Sequence, residues 1–532
     1  MDSILNSAGV DKLLVLVEES TRATANAPTR FVEPARGTLD LAKARRQHIV
    51  FGRRGSGKTS LLRKAIADLT LDRRPVAFVD LESFKGHSYP DVLLSVLIST
   101  FRSLNEWLNT GGINPATKRK WWQRLVGANP RRPPLNRIAV SDIEKRLAAQ
   151  IKALEEQLHA TDSAAVEARV TDERSTAATG GVELGAAAGP LKASINAIGS
   201  SGSKVVVERR ESFTEKKVDF LHRHIIDYQE MFDTIVSGAG GDVFIFLDDL
   251  YHIRRSDQPL VVDYFHRIAK GRGVWLKVGT IRHRTEWYRH GDPPIGMKLG
   301  DDCNEIDLDI TLEKFSLAKR FLFQILDNLI TDACLTSHKK ILAEGGIERL
   351  VLASGGVARD FLTIFKRSVD VARERLQSGG TSRGPMIGAE DVNNAAGEHD
   401  ASKREELKRD TADERDKVES AFAGVRDFCL DKKANCVLIE RDLQTPGTRL
   451  IGELVDLRLL HLVASRLTVS GKPGKLYSGF MLDVSQYTGE RKRRELEIIR
   501  FWEKMDRLRR AGLIYDPEAN VSQAVATAGG TV

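Results

Sequence analysis

The chain has 532 residues, 41% of them hydrophobic and 29% charged, and a formal net charge of +8. That balance excludes global disorder, leaves room for about three domains, and permits polyanion binding without demanding it. Four scattered cysteines (Cys303, Cys334, Cys429, Cys436) lack zinc-knuckle spacing, and no uncharged apolar run is long enough for a transmembrane segment, so reduced thiols and a cytoplasmic location are expected.

Residues 1–30 read as an N-terminal helical segment, without the basic start or cleavage site of a signal peptide. His48–Phe51 follows as a short buried strand, and Ser60–Ile66 as a helix start. Between them lies Gly52-Arg53-Arg54-Gly55-Ser56-Gly57-Lys58-Thr59, the pattern G-x-x-x-x-G-K-[ST] of a phosphate-binding loop. Glycines let backbone N–H groups close around phosphates, and the helix N-terminus adds partial positive charge. Gly52 to Ser60 are therefore the candidate cofactor-binding residues, for ATP with Mg²⁺. Lys58 is assigned to the β- and γ-phosphates and the Thr59 hydroxyl to magnesium.

Pro75–Asp80 reads as a strand and Asp91–Leu108 as a helix, after which residues 109–217 interrupt the core. Lys118-Arg119-Lys120-Trp121-Trp122-Gln123-Arg124, with Arg131, Arg132 and Arg137, suits either nucleic-acid stacking or an amphipathic helix with two buried tryptophans. Ser141–Glu144 fits a capping box, and Ile143, Leu147, Ile151, Leu154 and Leu158 form a coiled-coil-like stripe. Its mate is the helix from Glu215 to Val236, giving an antiparallel arm suited to a protein partner. The Gly/Ala-rich tip reads as a flexible loop or as a hairpin pairing Gly181–Leu184 with Lys204–Glu208.

Val243–Leu247 is a continuous apolar run ending in Asp248-Asp249, as expected of a central parallel strand buried on both faces. Ligands of such sheets sit at the carboxyl ends of the strands. Asp248 is therefore a candidate magnesium ligand with Thr59, and Asp249 the candidate for orienting or deprotonating the attacking water. Gln258–Lys270 reads as a helix. Val274–Arg282 reads as a strand whose Thr280 or Arg282 is a candidate γ-phosphate sensor, and Glu305–Ile310 as a fifth strand of the α/β core spanning 31–310.

A linker followed by a highly charged solvated helix or tether is expected over 379–416. Within 417–516, Val418–Leu430, Gly452–Leu467 and Arg494–Ala511 read as helices, and Lys475–Val484 and Leu513–Tyr515 as strands. Helices followed by a small sheet suit a winged-helix-like domain, which serves either DNA binding or protein docking. Arg491-Lys492-Arg493-Arg494, Arg507, Arg509 and Arg510 place basic charge there, and 517–532 reads as a disordered tail.

Taken together, the phosphate loop, the strand ending in Asp248-Asp249, the Thr280 strand and a following lid resemble the AAA+/STAND group of P-loop ATPases over roughly 31–110 and 218–375. Among them the chain is most similar to origin-recognition-complex-like ATPases, including bacterial ones. The resemblance implies a parallel-sheet P-loop NTPase core with a helical lid, over 311–378, and a C-terminal winged helix. It also implies that Arg359, in Ser354-Gly355-Gly356-Val357-Ala358-Arg359-Asp360, meets the γ-phosphate as a second sensor. In a ring of such subunits, Arg284 or Arg289 is the candidate arginine finger. Asp249 stands where many of these ATPases carry Glu, as in many STAND proteins, which are typically switches. Its carboxylate then falls about 1.5 Å short, a displacement worth about 10²-fold in rate.

The expectation is an ATP-hydrolysing, homo-oligomeric ATPase associated with DNA through its C-terminal domain. The alternatives are a STAND-type switch with slow hydrolysis, in antiviral defence for example, and a nucleotide-gated adaptor without turnover.

Overall fold

The structure, a computed structural model, describes residues 3–21, 31–109, 137–178, 214–410, 415–443, 445–488 and 495–518. The Lys118–Arg132 stretch, the Gly/Ala-rich tip with its candidate hairpin, the Arg491–Arg494 run and residues 519–532 lie outside the described residues.

Strands β1 (His48–Phe51), β2 (Val76–Asp80), β3 (Val243–Asp248) and β4 (Val274–Thr280) are followed by a small hairpin, β5 (Tyr288–Arg289) and β6 (Ile295–Gly296), and then by β7 (Asn304–Asp307). Five of them form one parallel sheet in the order β2-β3-β4-β1-β7, as the α/β reading expects. Every residue of β1 and β3 is buried, because helices cover both faces. The register brings Asp80 beside Asp248, and Thr280 and Asp307 on either side of Phe51. The carboxyl ends of all five strands therefore open on one edge, where the phosphate-loop sequence begins.

Helices α1 (Ala8–Ser20), α2 (Thr38–Lys43), α3 (Lys58–Leu71), α4 (Asp91–Trp107), α5 (Arg137–Ala178), α6 (Ile225–Gly238) and α7 (Gln258–Ala269) belong to the first two-thirds of the chain. In α4, Val92, Leu93, Leu94, Val96, Leu97, Phe101 and Leu104 are all buried, since the helix is covered by the sheet on one side and by α5 on the other. Of the α5 stripe, Ile143, Leu147 and Leu154 are buried in the same core while Ile151 and Leu158 are partly buried, and α5 packs on α4 as well as on α6. Ile143 lies on Gly238, while Lys217 Nζ donates to the Leu158 carbonyl at 3.1 Å and pairs with Asp91 at 2.7 Å. The two segments thus run antiparallel.

The rest of the chain builds a second core around α8 (Phe315–Asp332), α9 (Glu344–Ser354), α10 (Ala358–Gln377), α11 (Ala389–Asp410), α12 (Arg415–Asp431) and α13 (Pro446–Asp456). Strands β8 (Cys436–Glu440), β9 (Leu460–Leu467) and β10 (Tyr477–Leu482) form an antiparallel sheet in the order β8-β10-β9 within that core. Val10, Leu13 and Val17 of α1 dock into it, and Lys366 and Arg373 of α10 pair with Glu18 and Asp11.

Three expectations are corrected. The charged helix is not solvated: α11 buries Asp391, His399, Asp400 and Lys403, with Asp391 pairing to Arg375 at 2.9 Å and Lys403 to Asp483 at 2.7 Å. Gly452–Leu467 is not one helix; α13 ends at Asp456, Arg458 takes a left-handed φ of 64°, and the chain leaves as β9. Residues 495–501 run non-helical because Glu497 exchanges backbone hydrogen bonds with Lys433 and Asn435, and only short 3-10 turns follow. Among the described residues, no helix is long and apolar enough to cross a membrane.

Candidate functional site

The phosphate-loop sequence leaves the end of β1 and closes into the first turn of α3. Gly55 and Gly57 take φ values of 87° and 99°, which side-chain-bearing residues rarely adopt. Lys58 is buried, and its Nζ donates to the carbonyls of Gly52 at 2.9 Å and Arg53 at 3.4 Å, with Asp249 Oδ1 3.8 Å away. The ammonium is thus held inside the loop it belongs to.

Asp248, buried at the end of β3, accepts a hydrogen bond from the Thr59 side chain and from the Asp249 backbone N–H at 3.1 Å. Burial, with the charge of Asp249 adding to it, pushes its carboxyl up to about 7 against the opposing effects of Thr59 and Lys58. Gly279 of β4 makes the room, since a Cβ there would fall 2.5 Å from Asp248 Oδ1. Asp249 begins the turn out of the strand in a left-handed conformation (φ 57°, ψ 48°).

Arg359, at the start of α10, lies against the outer face of the loop. Its backbone N–H donates to the Gly55 carbonyl at 3.3 Å, and its Nε to the Thr21 carbonyl at 3.1 Å. Docking of α1 on α10 therefore brings the end of α1 to the loop.

A cavity of about 670 Å³ opens here. One wall is Arg54 to Ser60 with Asp249, Tyr251, His252 and Glu82. Phe31, Val32, Pro34, Phe321, Ile325, Leu329 and Leu362 give it an apolar lining as well, with Asn328, Glu19 and Ser20 among them. Those apolar residues, His252 and Glu82 were not singled out from the sequence. Phe31-Val32-x-Pro34 before the loop strand was the available signal; the α8 residues look like any amphipathic helix face.

Several expected site residues point elsewhere. Neither Gly52 nor Arg53 lines the cavity. The Arg53 guanidinium is buried against Asp309 at 3.2 Å and the carbonyls of Ile310 and Gly355 at 3.2 and 3.1 Å. Thr280 bonds Thr285 through its hydroxyl and accepts from the Gly52 N–H at 3.2 Å through its carbonyl. Arg282 stacks 4.0 Å from the Phe51 ring centroid and pairs with Glu305 and Asp307 at 3.0 and 3.3 Å. Thr280 and Arg282 thus do not reach the cavity, because each strand-end side chain is engaged by its own neighbours, whereas Arg359, the second sensor candidate, does line it. Arg284 lies over the Tyr251 ring at 5.6 Å, and Arg289 pairs with Glu286 at 3.0 Å.

The residues fit a magnesium-bound triphosphate. Thr59 and Asp248 place one hydroxyl and one carboxylate together, the small protein ligand set magnesium uses alongside substrate phosphates. The Ser56 hydroxyl is buried in the loop without a hydrogen-bond partner among the described residues.

No protein-family model and no curated protein matches the chain. Among solved structures it is similar to the Aeropyrum pernix ORC1 protein in complex with DNA, at 12% identity and a TM-score of 0.32, over 86% of this chain and 91% of that one.

Proposed function

We propose that the chain binds ATP with magnesium and hydrolyses it, as an AAA+-type ATPase that couples nucleotide state to its C-terminal part. The observation carrying this reading is that Lys58, Thr59 and Asp249 line a cavity with both a phosphate-loop wall and apolar side chains, with the buried Asp248 held behind Thr59 by the hydrogen bond from its hydroxyl. The loop N–H groups and Lys58 take the phosphates. Thr59 and Asp248 would hold magnesium, which would supply neutralisation of the phosphate charge. Phe31, Val32 and Ile325 receive the base. Arg359, already on the loop through Gly55, reports γ-phosphate occupancy to α10.

Association with DNA is part of the proposal and is supported by the net charge of +8, the Arg491–Arg494 run and the exposed Arg507 and Arg509. Homo-oligomerisation through Arg284 or Arg289, and a protein partner on the 109–217 arm, complete it. A second reading, a slowly hydrolysing STAND-type switch, is favoured by one observation: Asp249 lies against Lys58 in place of a longer Glu.

ATP turnover with and without duplex and single-stranded DNA, at low and near-physiological salt, tests both. DNA stimulation that fades as salt rises supports the DNA-coupled ATPase. Tight ATP binding with slow, DNA-independent turnover favours the switch, and binding with no turnover leaves a nucleotide-gated adaptor.

A further inference from the structure

The cavity holds an acid that the proposed chemistry does not yet use. Strand β2 pairs with β3 so that Asp80 sits beside Asp248, and the chain then turns through Leu81–Phe84 at the same sheet edge. Asp80 accepts the Glu82 backbone N–H at 3.0 Å, and Leu81 is fully buried, so the turn is pinned from both sides. Glu82 is left facing out, its side chain 59% exposed, on the wall of the cavity. Beside it stands the largely buried His252, with Nε2 3.9 Å from Glu82 Oε1 and its ring 4.3 Å from that of Tyr251. His252 and Tyr251 line the same cavity as Lys58 and Thr59.

Asp249 is less suited to handle the attacking water. It takes a left-handed backbone conformation, its carboxylate lies 3.8 Å from Lys58 Nζ, and it is one methylene shorter than Glu. Its geometry suits balancing the Lys58 charge. Glu82 brings a longer, exposed carboxylate to the same cavity from the neighbouring strand.

We propose that Glu82, not Asp249, is the catalytic residue that orients and deprotonates the attacking water; this rests on the hydrolytic reading above. The water oxygen forms a bond to the γ-phosphorus as the bond from that phosphorus to the bridging oxygen breaks. ADP leaves with the electron pair, and the water proton passes to the Glu82 carboxylate and on to solvent.

The test is Glu82→Gln in the full chain, measuring ATP affinity with magnesium and the single-turnover hydrolysis rate with enzyme in excess. General-base loss predicts a fall of about 10²-fold in that rate with affinity unchanged. A fall of less than about tenfold, or a loss of affinity large enough to account for it, overturns the assignment. Wild-type protein that binds ATP without turning it over fails differently: it removes the hydrolytic reading itself, and Glu82 as base with it.

Discussion

Arg53, inside the phosphate loop, donates from its guanidinium to the carbonyl of Gly355 at 3.1 Å. Gly355 in turn lies under the His461 ring, so closely that a Cβ there would fall 2.0 Å from Nδ1. Two contacts therefore connect the loop to strand β9. Gly55 adds a parallel route, since a Cβ on it would meet Arg359 at 2.7 Å and Val357 at 3.2 Å. The outer face of the loop is thus packed on the turn between α9 and α10, which in turn abuts the C-terminal sheet.

Arg53→Ala removes a buried guanidinium and leaves the carbonyls of Ile310 and Gly355 without that donor. Breaking a buried charged contact of this kind costs about 3 kcal/mol. We expect a lower urea midpoint and faster limited proteolysis after residue 310, with the loss greater than for Arg54→Ala, whose side chain faces the cavity. Equal effects of the two variants would remove Arg53 from its place as a tie.

Lys58→Ala is expected to abolish measurable ATP binding, since no other loop side chain brings an ammonium to the phosphates. Gly279→Ala tests the magnesium-side geometry without touching a candidate ligand. The added Cβ would meet Asp248 Oδ1 at 2.5 Å and Leu62 Cδ1 at 3.2 Å, and Asp248 is fixed by Thr59 and by the Asp249 N–H. Magnesium-dependent ATP affinity should fall by about tenfold or more, equivalent to about 1.4 kcal/mol, with circular dichroism unchanged. Undiminished affinity would show that Asp248 can move freely.

Asp360 follows Arg359 directly and is buried against Arg458 at 2.6 Å, His399 at 3.3 Å and Lys403 at 3.8 Å. Burial pushes its carboxyl up, but Arg458, His399 and Lys403 outweigh that and hold it well below its usual value. Asp483 is likewise held low against its burial by Lys403 and His461. Depressed folded-state values mean that these groups stabilise fully above the unfolded carboxylate value near 4 and lose that contribution as pH falls below it. Asp360→Asn should cost about 3–5 kcal/mol at pH 7. The gap between wild type and variant should narrow from pH 4 towards pH 2; a gap independent of pH in that window would refute the assignment.

The loop and Asp248-Asp249 were legible in the sequence because local chemistry dictates both. A phosphate cradle needs glycines at positions of positive φ, and a strand buried on both faces needs an unbroken apolar run. Side chains at the ends of strands were not legible in the same way. Thr280 and Arg282 occupy the right register, yet Thr285, Glu305 and Asp307 engage them, and those partners are set by tertiary structure. Strand β9 was hidden by its stop signal: Arg458 rather than glycine takes the left-handed position, so Gly452–Leu467 reads as one helix. The charged surface of α11 reads as solvated because sequence alone cannot show that Asp483 and Asp360 wait opposite Lys403.

Lys277, fully buried in β4, gives a prediction of the same sign in a higher pH window. Its Nζ donates to the carbonyls of Ala44 at 2.7 Å and Arg46 at 2.8 Å just beyond α2, and to His48 Nδ1 at 2.9 Å. Burial pushes the amine down to about 7, while burial and then Lys277 push His48 down to about 4, which suits a neutral imidazole accepting that bond. Between pH 7 and about 10 the unfolded chain therefore binds more protons at Lys277 than the folded one, so this group makes stability rise with pH. Lys277→Met removes that titration along with its hydrogen bonds. The wild-type urea midpoint should gain on that of the variant from pH 7 to pH 9.5. A constant difference across that range would mean that Lys277 stays charged in the folded protein, with the surrounding carbonyls offsetting its desolvation.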